Sequence, residues 1–153
     1  MLQILEKFRI VVLICAGMFC SIPALAVPSH FSVTIESALL CVDQIDAFYF
    51  TDYMVANFGP PTKVEGEANW WTVSTTLFGA KVDSVFVSNS ETSSVFIGAI
   101  FADATDVLRQ KIQDSTGVIY QVTGNPEQWV SPSFSVMLKY KSPETPSKMY
   151  CLK

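Results

Sequence analysis

Residues 43–61, DQIDAFYFTDYMVANFGPP, carry a start and a stop signal for one aromatic-rich helix, and the chain after them reads as strands laid against it. Asp43 is placed to cap the helix, with Asp46 at the third helical position where a capping box usually has Glu. Both charges suit the positive end of the helix dipole. Gly59 suits the left-handed position just past a helix end, and Pro60-Pro61 cannot continue the helix. Ala47, Phe50, Met54 and Phe58 form one stripe, widened by Ile45, Phe48 and Tyr49, so the helix is expected to be covered along most of its length.

Downstream, residues 62–69 are polar and read as a link. Residues 70–78 have the aromatic and β-branched content of a strand, Gly79-Ala80 is the expected turn, and 81–88 and 94–101 continue a three-stranded meander. Asp103 repeats the Asp-x-x-Asp start and opens a second helix, through Ser115, that Gly117 ends. Strands are expected over 118–122 and 134–141, the latter alternating Phe134, Val136, Leu138 and Tyr140 on one face. Upstream, Phe31-Ser32-Val33-Thr34-Ile35 alternates apolar and hydroxylated residues and reads as a half-buried strand. The tail after 141 holds Pro143 and Pro146 and reads as loose. The order β-α-β-β-β-α-β-β gives an α+β fold: an antiparallel sheet of five to six strands with two helices on one face. The helix, Phe-Gly-x-Pro turn and Trp-rich strand together are similar to units found in several small envelope and inhibitor domains, a generic pattern from which no residue role is carried over.

Residues 1–26 read as a secretory signal peptide cleaved after Ala26: Lys7 and Arg9 ahead of an apolar run, then a small-x-small ending at Ala24-Leu25-Ala26. A retained membrane anchor is the competing reading. Taking those residues from the 153 leaves 127, the size of one domain, residues 27–153. Without Glu6, Lys7 and Arg9, the 14 acidic and 10 basic side chains become 13 and 8, a formal charge near −5. An acidic exported domain is a poor nucleic-acid binder, and no membrane contact is expected after cleavage. The charge is also divided: residues 36–106 are the acidic part and 107–153 the basic part, which either present two faces or interleave and cancel. Cys41 and Cys151, left alone in an oxidising compartment, are expected to form one disulfide. With no Asn-x-Ser/Thr site, a bacterial periplasmic or secreted location fits best.

The sequence has one histidine, His30, near the start of the mature chain, so a Ser-His-Asp or Cys-His centre has no well-placed base. One His and two distant Cys do not make a zinc site, and no Gly-rich phosphate loop is present, so no catalytic residue, metal or cofactor is expected. Recognition remains. Trp70 and Trp71 are adjacent and point to opposite faces of a strand, so one indole faces solvent or a partner unless a twist, a bulge or the tail covers it. Phe78 sits at the hairpin tip, and Glu65, Glu67 and Asp83 surround these residues with negative charge suited to a cationic partner. The expected function is a small exported binding protein, an inhibitor or immunity protein that blocks a secreted cell-wall-degrading or other envelope-acting toxin. The alternatives are a periplasmic small-ligand or lipid carrier and a hydrolase using carboxylates alone.

Overall fold

The computed structural model describes residues 27–43 and 45–153, so the leader expected at 1–26 lies outside the described residues. The fold is α+β, as the sequence implies, but among the described residues its single antiparallel sheet has eight strands and is packed by three helices rather than two. The helices are α1 (Phe31–Leu39), α2 (Ala47–Phe58) and α3 (Thr105–Thr116). The strands are β1 (Lys63–Glu65), β2 (Ala68–Leu77), β3 (Ala80–Ser88), β4 (Phe96–Phe101), β5 (Gln121–Val122), β6 (Gln128–Val130), β7 (Val136–Lys139) and β8 (Ser147–Leu152). Their order across the sheet is β1-β2-β3-β4-β8-β7-β6-β5.

The expected strand at 31–35 is helix α1. Five residues satisfy period two and period 3.6 equally well; the next four decide it. Phe31, Ile35, Ala38 and Leu39 are buried while Val33 is 71% exposed, which only a helix produces. The central helix also begins later than expected. Asp46, not Asp43, is its cap, accepting from the Phe48 amide at 2.6 Å. Asp43 instead pairs with Lys153 at the other end of the chain. Phe50, Tyr53 and Met54 are buried, but Ile45, Phe48 and Tyr49 lie in the open, so the covered stripe is narrower than the sequence suggests.

Two turns with positive φ at both central residues set the β1-β2-β3 part: Gly66-Glu67 and Phe78-Gly79. The first makes a hairpin of what reads as a polar link. The second shifts the expected turn by one residue, and the Phe78 amide there donates to Glu36 Oε1 of α1 at 2.6 Å. The second helix likewise starts after Asp103, whose carboxylate accepts from the Lys81 amide and the Lys111 ammonium. The expected strand 118–122 shrinks to β5, and 134–141 to β7.

The largest departure is the tail. Residues 147–152 are not loose but form β8, paired to β4 on one side and β7 on the other. Ser147, Met149 and Cys151 point into the core, and Cys151 is disulfide-bonded to Cys41, as expected. All three helices feed one core with Trp71, Phe101, Met137 and Met149, so they cover one face of the sheet. The other face carries a smaller cluster of Ala68, Trp70, Phe86 and Ile100, with Phe96 and Tyr150 packed against it. Charges from the two halves of the chain interleave in part: Lys111 reaches Asp103 and Lys153 reaches Asp43. Among the described residues no helix is long and apolar enough to cross a membrane.

Candidate functional site

The helix-free face is built by register. One row crosses every strand: Lys63, Trp70, Phe86, Gly98, Tyr150, Val136, Val130 and Gln121 are successive cross-strand partners. The neighbouring row runs Thr72, Ser84, Ile100, Lys148, Leu138 and Gln128. On the other side, Glu65, Ala68 and Ser88 align on β1 to β3, and Phe96 pairs with Leu152. Aromatic side chains dominate the middle. The Trp70 and Phe86 rings lie 4.5 Å apart, and Phe96 meets Phe86 edge-on at 6.1 Å. Gly98 makes this arrangement fit, because the Phe86 ring occupies the space in which a side chain at 98 would sit.

Two cations cap the aromatic row. Lys63 Nζ stands 4.6 Å over Trp70 and pairs with Glu65 at 2.8 Å. Its pKa is raised first by that hydrogen bond, then by the charges of Glu65, Tyr140 and Asp83, with desolvation opposing; the same pairing lowers Glu65. Register shifts at Thr72/Thr75 and Val82/Ser84 add local twist where β2, β3 and β4 pair. Lys148 Nζ lies 4.7 Å from the Phe86 ring and 5.8 Å from Tyr150, and burial pushes its pKa down.

Where the sheet ends beside the last turn of α1, the 131–135 loop just before β7 projects Phe134, which is 79% exposed and held at φ +67°. Three serines fix the loop. Ser133 and Ser135 donate to the Leu40 and Leu39 carbonyls at the end of α1, where a helix leaves carbonyls unpaired. The Ser135 amide donates to Ser131 Oγ at 3.1 Å, and Tyr120 OH donates to Ser135 Oγ at 2.7 Å. Phe134 and Leu152 line one open cleft of about 510 Å3 together with Ile45, Val95, Asp43, Asp46, Lys153 and the disulfide.

The sequence-derived site residues divide. Trp70, Glu65 and Asp83 gather around Lys63, and Trp70 Nε1 donates to the Glu65 carbonyl at 2.9 Å. Glu67 sits in the adjacent turn. Trp71 and Phe78 are on the other side, in the main core, where Trp71 Nε1 donates to the Gly59 carbonyl beyond α2. Neither indole is open to solvent: Trp70 is 9% exposed and Trp71 1%, because the β1 hairpin and the stacked Phe86 cover the first. Phe78, at 4%, is folded back rather than projecting. His30 is not free at the chain start but packs edge-on against Tyr53 at 5.5 Å.

No protein-family model, curated protein or solved structure matches the chain. The site therefore stands on its own geometry. Phe134, Phe86, Tyr150 and Lys148 are the residues that sequence reasoning passed over. The run Ser131-Pro132-Ser133-Phe134-Ser135 held the signal for the first, since a serine-proline loop interrupts the alternation assigned to a strand. The alternation of Ser147, Met149 and Cys151 with Lys148, Tyr150 and Leu152 held it for the last two.

Proposed function

We propose that the chain is an exported, disulfide-stapled binding protein that captures a protein partner through its helix-free sheet face, in the manner of a periplasmic inhibitor or immunity protein acting on an envelope-directed toxin or enzyme. Phe134 carries this reading. A phenylalanine with a left-handed backbone costs about 1–2 kcal/mol, and a large apolar side chain fully in water gains nothing in the free protein. Yet hydrogen bonds from two serines to α1, and a third serine within the loop, hold it there. Backbone strain at a rigid, exposed aromatic is the pattern of a preorganised binding anchor. The half-buried Phe96, Val136, Leu138 and Tyr150, backed by the buried Trp70 and Phe86, offer a surface of matching character, and the acidic net charge favours encounter with a basic partner.

The test is capture from envelope and secreted fractions with Phe134→Ala and Trp70→Ala, beside Val33→Ala, which alters an equally exposed residue on the helical side. Loss of a discrete captured protein with Phe134→Ala alone or with both face variants supports the reading. Capture unaffected by Phe134→Ala, or lost equally with Val33→Ala, refutes it.

A further inference from the structure

The helix-free face differs in charge from the rest of this acidic protein. At its register positions the charged side chains are Lys63, Glu65 and Lys148, with Asp83 near Lys63 at the same edge. Lys63 and Glu65 neutralise each other at the edge. Lys148, near the middle of the sheet on β8, forms no ion pair with any described residue. Its ammonium instead rests over the Phe86 and Tyr150 rings. A half-buried cation with no counter-ion, on a floor of aromatic rings, is complementary to one group: a carboxylate brought in with apolar neighbours. An ion pair formed there is less screened than one at the rim, and the rings already hold the ammonium in position.

We propose that the captured partner presents an Asp or Glu side chain flanked by apolar residues, whose carboxylate pairs with Lys148 while the flanking side chains lie on the half-buried Tyr150 and Leu138. This rests on the reading of the face as a protein-docking surface and adds the chemistry of the partner's footprint. The net negative charge of the chain acts at long range on the partner as a whole. Lys148 acts at contact, where a single carboxylate sets the register of the bound segment. A protein segment suits the surface better than an acyl chain, because the row extends laterally across the strands from Trp70 to Val136 and alternates with a second row that carries the Lys148 ammonium among Ile100 and Leu138.

The experiment titrates the oxidised protein with three capped tripeptides, Leu-Glu-Leu, Leu-Gln-Leu and Leu-Lys-Leu, and follows backbone amides by NMR. The Glu peptide is expected to shift the amides of Phe86, Gly98, Lys148 and Tyr150 and to bind about fivefold more tightly than the Gln peptide, with the Lys peptide weakest. Lys148→Met should erase the difference between Glu and Gln, and Lys148→Arg should keep it. Absence of shifts at these amides, equal affinity for the three peptides, or an unchanged preference in Lys148→Met overturns the proposal. So do two other outcomes: octanoate saturating these amides where the Glu peptide does not, which assigns the face to a lipid carboxylate, and a concentration-dependent dimer abolished by Lys148→Met, which assigns it to a second copy. Phe134→Ala capture tests the docking surface, and the titration tests Lys148 without it, so the two failures are separable.

Discussion

Replacing Gly98 by Ala would place a methyl group 2.7 Å from Cε1 of Phe86 and closer still to Cζ and Cε2. The backbone of β4 cannot retreat, because it is laddered to β3 and β8 on both sides. The ring must move instead, and at 2% exposure it has nowhere to go without giving up its stack on Trp70 and its contact with Lys148. Overpacking of this kind costs about 1–3 kcal/mol, and exchanging Gly for Ala inside a strand returns about 0.5–1 kcal/mol. The expected net loss is about 1–2 kcal/mol. In urea unfolding followed by tryptophan fluorescence, the midpoint should fall by roughly 0.5–1 M with an unchanged slope. The double variant Gly98→Ala with Phe86→Leu should lose less than the sum of its two single variants, since Leu lacks the atoms that collide. A Gly98→Ala protein as stable as the parent, or additive losses in the double variant, would refute the account of the aromatic row.

Phe134→Gly relieves the left-handed strain at an exposed site, so stability should be unchanged or rise by up to about 1 kcal/mol in urea while partner capture is lost. Lys148 has a lowered pKa in the folded protein because of desolvation, so between that value and the ordinary lysine range the unfolded chain binds more protons and stability rises with pH. Lys148→Met should therefore be the more stable protein at pH 7, with the gap narrowing as the pH approaches about 10.4, as read by unfolding at both pH values. Ser135→Ala removes a fully buried hydroxyl that donates to Leu39 and accepts from Tyr120, and should cost about 1–3 kcal/mol and loosen the Phe134 loop in hydrogen exchange. Reducing the Cys41–Cys151 bridge opens a link across 110 residues and should lower stability by about 4–5 kcal/mol on the chain-entropy estimate.

The meander from β2 to β4, the Gly117 stop, the α+β class and the disulfide are legible in the residues because each is written locally, in β-branched runs, turn glycines and cysteine count. What misleads is equally local. The 31–35 window fits strand and helix alike until Leu39 is included. Asp43 looks like a cap because nothing nearby reveals that Lys153 takes it. Pro143 and Pro146 make the tail look loose, although both precede β8 and cost its ladder nothing. The site is harder to read than the fold. Adjacent tryptophans do alternate faces, but the burial of Trp70 depends on Phe86 lying across Gly98 one strand further on, a pairing that strand periodicity does not specify. The prominence of Phe134 depends on hydrogen bonds from Ser133 and Ser135 to carbonyls more than ninety residues earlier.

The central claim is that partners dock on the helix-free face with Phe134 as anchor. A photo-crosslinking amino acid placed at 134, and separately at the similarly exposed position 33 on α1, measures this directly in the producing cell. The account predicts one discrete protein adduct from position 134 and none from 33. An adduct formed equally from both, or from 33 alone, would contradict it.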